Sequence, residues 1–142
     1  MQQTATRQSF NVATQQKTEI INITPQVQQA IATTGITEGA CTIYVPHTTA
    51  AILIQENADP NVHVDLLNAL DRLVPKDLPY LHQTTNKNAP SHIKAALIGP
   101  SKTVFIGSGN LLLGTYQFIY LCEFDGSRDR TVWLRIVSDL AV

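Results

Sequence analysis

The stretch from Thr115 to Val137 reads TYQFIYLCEFDGSRDRTVWLRIV. Its two ends, Thr115 to Glu123 and Thr131 to Val137, are rich in β-branched and aromatic residues and flank the polar connection Asp125 to Arg130, so both read as strands. Upstream, Thr103 to Ile106 is a further strand, joined to them through Gly107 to Gly114. At the other end of the chain, Gln8 to Val12 alternates polar and apolar residues and Glu19 to Ile23 is β-branched-rich. With the polar turn around Gln15 to Lys17 between them, these two segments predict a hairpin. Ala40 to Val45 and Ala50 to Ile54 add two more strands. Pro46-His47-Thr48-Thr49 between them predicts a bend or strand edge, because proline has no amide to donate.

Between these strands lie three helical patterns. Thr24-Pro25 reads as an N-cap and first-turn proline, with Val27, Ala30 and Ile31 at helical spacing until Gly35. Asp59-Pro60 opens a second helix by the same logic, with Val62, Leu66, Leu70 and Leu73 on one face and Asp65, Asn68 and Arg72 opposite. Asn88-Ala89-Pro90 opens a third, ending at Gly99-Pro100. Strands bracket the helices instead of alternating with them, so the expected class is α+β: a mixed, largely antiparallel sheet with about three helices.

The 142 residues, 44% of them hydrophobic, suit one domain spanning 1–142. A formal net charge of −1 with 15% charged residues carries no footprint for nucleic acid or an anionic membrane. The polar start MQQTATRQSFNVATQQ lacks the apolar stretch that a signal peptide requires, and no apolar run reaches the roughly 20 residues of a membrane span, so a cytoplasmic location is expected. Cys41 and Cys122 sit in apolar runs and read as reduced core thiols.

Three of the four histidines, His47, His82 and His92, fall in breaks or at a helix start, where side chains are presented rather than packed. Imidazole serves as a metal ligand or as a general acid or base near neutral pH, and the spacing leaves open metal binding, acid–base use and hydrogen-bonded structural roles. His63, beside an apolar stripe, reads as a packed bystander. Of the carboxylates, Asp59 reads as an N-cap, which leaves Glu56 and Asp65 as the better functional candidates. Lys94, Arg128 and Arg130 suit an anionic substrate. The glycines Gly107, Gly109 and Gly114 could present amides to phosphate, but they match no phosphate-loop fingerprint.

The run Pro46-His47-Thr48-Thr49-Ala50-Ala51, then Glu56-Asn57-Ala58-Asp59-Pro60 and Asp65, resembles the YjbQ-like family, the secondary thiamine-phosphate synthases. Tyr80-x-His82, His92-Ile93-Lys94, the pattern S-x-x-V-x-I-x-x-G-x-x-x-x-G-T-Y-Q-x-I from Ser101 to Ile119, and Glu123-Phe124-Asp125-Gly126 with Arg128 extend the resemblance over about residues 5 to 140. Tyr116 stands where the family usually has tryptophan. Asn86-Lys87-Asn88 replaces acidic residues, which removes negative charge beside the expected site.

The resemblance implies an α+β fold, a homotrimer with clefts at subunit boundaries, and joining of a pyrimidine methyl diphosphate to a thiazole phosphate with release of diphosphate. It implies His82, His92, Asp65 and Glu56 as catalytic groups, with His47, His82 and His92 as ligands of a divalent ion, magnesium or zinc. His47, Thr48, Asn57, Lys94, Gly114, Thr115, Gln117 and Arg128 would contact the substrate. Two rivals use the same residues: a non-catalytic trimeric module that binds a metabolite or metal, and a metal-dependent phosphate hydrolase.

Overall fold

The computed structural model describes residues 5–57, 59–82 and 87–140. Ala58 and Asn86, which carry part of the resemblance, lie outside the described residues. The elements in order are β1 (Ala5–Ala13), β2 (Glu19–Asn22), α1 (Thr24–Ala32), β3 (Gly39–Tyr44), β4 (Ala50–Glu56), α2 (Asn61–Leu73), α3 (Ala89–Ile98), β5 (Ser101–Gly107), β6 (Asn110–Leu111), β7 (Gln117–Glu123) and β8 (Asp129–Ser138). The class is α+β as expected, but the strands divide between two antiparallel sheets: a five-stranded one in the order β1-β8-β3-β5-β6 and a three-stranded one in the order β2-β7-β4.

The patterns of β7 and β8 explain the layering. In β8, Val132, Leu134 and Ile136 are buried while Trp133 and Val137 are exposed, the alternation of a sheet covered on one face. In β7 both faces are buried, so apolar residues run on without alternation. Ile119 and Leu121 face the five-stranded sheet in a core with Ile43, Val104 and Leu134. Tyr120 and Cys122 face the other way, in a second cluster with Leu70 of α2 and Ala95 of α3. The three-stranded sheet is therefore the middle layer.

The expected hairpin is not formed. β1 zips along β8 from Ala5↔Val137 to Ala13↔Asp129, whereas β2 pairs with β7 in the other sheet. A full-length ladder with a distant strand outweighs a short local one, and the turn between the two is held instead by Glu19, whose Oε1 accepts the Gln15 amide at 2.9 Å. Thr24 is not an N-cap either. Its Oγ1 accepts the Ile119 amide at 2.8 Å, tying α1 to β7. Leu73, assigned to the buried stripe of α2, is 72% exposed.

Both cysteines are free and buried, and burial pushes each thiol up to about 12, consistent with inert core thiols. Among the described residues no helix is long and apolar enough to cross a membrane.

Candidate active site

One cavity of about 470 Å³ brings together His47, Thr48 and Thr49 from the β3–β4 break, His82, Asn88 and His92 around the start of α3, Arg128 just before β8 and Arg130 within it. Pro46 cannot extend the β3 ladder, so the chain leaves the sheet there and the following side chains line the opening. His92 sits in the first turns of α3, its amide bonded to the Asn88 carbonyl at 3.3 Å. The rings of His82 and His92 meet edge to face, centroids 5.1 Å apart.

His47 Nε2 accepts the Thr131 amide at 3.0 Å, which places the ring proton on Nδ1 in the neutral form. Burial, then the Arg130 charge, hold its pKa below the ordinary imidazole value. His47 is thus a neutral Nδ1–H donor.

Beneath the cavity lies a buried ion pair that the pattern of β7 and β8 contains in plain form. Glu123 is in phase with Ile119 and Leu121, and Arg130 with Val132 and Leu134, so both charges point between the sheets and meet there. Arg130 Nε donates to Glu123 Oε1 at 2.8 Å, Nη2 bonds Oε2, and Nη2 also donates to Thr49 Oγ1 at 2.7 Å. Thr14 Oγ1 and the Asp125 amide complete the carboxylate's shell at 2.8 and 3.0 Å. Burial alone would raise the Glu123 pKa, but these hydrogen bonds outweigh it and hold the group ionised. The fork leaves Arg130 no rotamer freedom and presents a fixed guanidinium to the cavity wall.

Arg128 is held differently. Its Nε donates to the Asp125 carbonyl and its Nη2 to Asp125 Oδ2, both at 2.8 Å. Asp125 also accepts from Asn88 Nδ2 and Lys17 Nζ. Burial opposes ionisation, yet these donors bring the Asp125 pKa from its ordinary 3.8 to about 2. A depressed carboxylate stabilises the fold fully above its unfolded value and loses that contribution as pH falls through the folded one. Stability should therefore fall between about pH 4 and pH 2 by roughly 2 kcal/mol through this group. Urea midpoints measured across that range should show a flatter fall in Asp125→Asn; identical pH slopes would remove Asp125 as the source.

Of the expected site residues, His47, Thr48, His82, His92 and Arg128 share this cavity, and Lys94, Asp65, Glu56, Asn57, Gly114, Thr115 and Gln117 do not line it. Lys94 lies in a neighbouring cavity and pairs with Asp71 at 2.5 Å. Asp65 is exposed on α2. Glu56 pairs with Gln117 at the far end of the β4–β7 ladder, while Ala50 pairs with Glu123 at the cavity end. At about 3.4 Å per residue the two ends are roughly 20 Å apart.

At that far end Asn57 Oδ1 accepts from the Tyr120 hydroxyl at 2.8 Å, and His63 Nε2 contacts the Glu56 carbonyl oxygen at 2.7 Å. His63 is indeed packed, edge-on to Tyr120. The Gly114 amide is taken by Gln117 Oε1 at 2.8 Å. Ser108 and Gly109, with φ of 51° and 78°, form a tight turn between β5 and β6. The Ser108 amide there donates to Glu38 Oε1, so it offers no cradle to an anion.

The expected three-histidine metal site does not fit these residues. Among the described residues no three His, Cys, Asp or Glu side chains are placed to hold a metal ion. His47 Nε2 is already an acceptor for an amide, which takes that nitrogen out of a ligand set.

The family described as "UPF0047 protein YjbQ-like" matches residues 8–139. UPF0047 protein MJ1081 of Methanocaldococcus jannaschii is 43% identical over 130 residues, covering 92% of this chain and 93% of that protein. UPF0047 protein YugU of Bacillus subtilis is 42% identical over 130 residues, covering 92% of this chain and 98% of that one. A crystal structure of a YbjQ-like protein of unknown function from Sulfolobus solfataricus superposes with a TM-score of 0.89 at 30% identity, covering 95% of this chain and 98% of that one. A Clostridium acetobutylicum protein of the same family, described as an ortholog of YugU, gives a TM-score of 0.87 at 43% identity, covering 91% of this chain and 98% of that one. The chain belongs to the YjbQ-like UPF0047 family.

Proposed function

We propose that the chain is a cytoplasmic transferase that joins a pyrimidine methyl diphosphate to a thiazole phosphate, with the histidine cavity as its reaction site. The observation that carries this reading is the meeting of two guanidinium groups, Arg128 and Arg130, with three imidazoles in one cavity. The thiazole ring nitrogen forms a bond to the pyrimidine methylene carbon as the carbon–oxygen bond to diphosphate breaks, leaving a thiazolium and free diphosphate. The electron pair of the broken bond stays on the diphosphate, so the charge to be stabilised develops on the leaving oxygen. Arg128 and Arg130 hold the diphosphate by charge-assisted hydrogen bonds. His92, fixed on α3 with His82 against its ring, gives its proton to the departing oxygen. His47 positions the substrate through Nδ1–H.

Supplying the purified protein with both precursors and following thiamine phosphate by chromatography tests the reading. Formation by the wild type and its collapse in His92→Ala are expected. Wild-type protein without activity, or a variant of equal activity, rejects it.

We propose further that the chain works as a homotrimer. Among the described residues no layer covers the outer face of the five-stranded sheet, which exposes Tyr44, Phe105, Trp133 and Val137 by 41–67%, with Tyr44 and Trp133 stacked at 5.8 Å. Association would also allow the far-end group of Glu56, Asn57, Asp65, Gly114, Thr115 and Gln117 to approach a neighbour's histidine cavity, giving those residues the roles the resemblance implies. Light scattering should give about three times the 15.6 kDa of one chain, falling to one chain in Trp133→Arg. A monomeric wild type refutes it.

A further inference from the structure

A second cavity, of about 310 Å³, opens beside the histidine cavity, and Asn88 stands in the wall of both. Lys17, Lys76, Lys87 and Lys94 line it, which is four of the five lysines in a chain of net charge −1. The clustering is therefore not the by-product of a basic surface. Lys17 is offset by Asp125 and Lys94 by Asp71, whereas Lys76 and Lys87 have no carboxylate partner among the described residues. Lys94 is itself 8% exposed, its ammonium held by Asp71 in the wall of the same cavity.

Asn88 supplies an independent observation. Its side chain is buried, at 5% exposure, and Nδ2 donates to Asp125 Oδ2 at 2.8 Å. An ionised carboxylate only accepts, so Nδ2 faces Asp125 and Oδ1 is the other terminus. Among the described residues Oδ1 has no hydrogen-bond donor. Asn88 lines the cavity, and a buried carbonyl oxygen without a donor is a group that a bound molecule's O–H or N–H would satisfy.

We propose that the lysine cavity binds a small phosphomonoester carrying a hydroxyl or amino group. Its phosphate oxygens lie among Lys76, Lys87 and Lys94, and its O–H or N–H donates to Asn88 Oδ1. A divalent cation is disfavoured by the ammonium groups, whereas an anion is attracted by Lys76 and Lys87, which have no carboxylate partner among the described residues. The site stands apart from the reaction proposed for the histidine cavity, because Asn88 alone is common to the residues that line the two cavities.

Titration calorimetry with inorganic phosphate, methyl phosphate and glycerol 3-phosphate tests it on the wild type, on the Lys76→Gln/Lys87→Gln double variant and on Arg128→Gln. Both lysines are exposed, so their replacement leaves the core intact. Phosphate affinity should fall about tenfold or more in the lysine variant and hold in Arg128→Gln. Glycerol 3-phosphate should bind the wild type about fivefold more tightly than methyl phosphate, through the donor to Asn88. Affinity lost in Arg128→Gln but kept in the lysine variant would place the anion in the histidine cavity and overturn the proposal. So would the absence of binding at millimolar phosphate, and equal affinity for the two esters would overturn the role of Asn88.

Discussion

Replacement of Arg130 by methionine is expected to lower the free energy of unfolding by about 3–5 kcal/mol, the range found when one partner of a buried ion pair is removed. Glu123 is fully buried and Arg130 is 3% exposed, so no water replaces the lost guanidinium. The carboxylate keeps Thr14 Oγ1 and the Asp125 amide, two donors against a full charge in a core of low polarisability. It would rather take up a proton, so the variant should be more unstable at high pH than at low pH. Arg130→Lys should recover little, because one ammonium cannot reach both carboxylate oxygens and Thr49 in the planar fork.

Adding Glu123→Gln to Arg130→Met should restore part of the loss, since the uncompensated charge is then gone. Urea denaturation of the wild type, the singles and the double gives the coupling directly. A loss below about 1 kcal/mol in Arg130→Met would mean that the pair behaves like a solvent-screened surface bridge. For a domain of ordinary stability, about 5–15 kcal/mol, the expected loss is a third or more of the total.

Loss of the His92 imidazole is expected to reduce kcat/KM for thiamine phosphate formation by about a hundredfold to ten-thousandfold, the range for removal of a placed general acid. His92 is chosen over His82 for the rigidity of its support. It sits on α3 beside buried Ser91, whose hydroxyl donates to the Phe124 carbonyl at 2.6 Å, whereas His82 is exposed and outside any helix or strand. An acid in a fixed place loses little to misorientation.

His82→Ala should accordingly cost less than His92→Ala, and the double variant little more than His92→Ala alone, if His82 serves to orient its neighbour. Folding is checked by an unchanged melting curve. Equal and additive losses would make the two histidines independent participants.

How far each feature could be read from the chain follows from how local its cause is. Helix α3 is legible because Asn88, Pro90 and Gly99 mark its ends within one short window, and β8 because Val132, Leu134 and Ile136 alternate with exposed neighbours. The partnering of β1 was not legible. A polar turn favours a hairpin locally, but the choice of β8 over β2 is made by a ladder more than a hundred residues away in sequence. Glu123 and Arg130 were partly legible, as charges in phase with buried positions, yet a one-dimensional pattern does not say that two inward charges from different sheets meet.

By itself the sequence determined the α+β class, nearly every element, the family, and the gathering of His47, His82, His92 and Arg128 as candidates, since periodicity, the prolines and glycines at element ends, and motif order are written in neighbouring residues. The tertiary structure alone decided that Glu56, Asn57 and Gln117 stand at the opposite end of the middle sheet. It also put Lys94 in a neighbouring cavity, and it left His47 no free Nε2 for a metal. Those outcomes depend on strand register and on which faces two sheets turn toward each other. Both are set by burial summed over the whole core and not by any short run of residues.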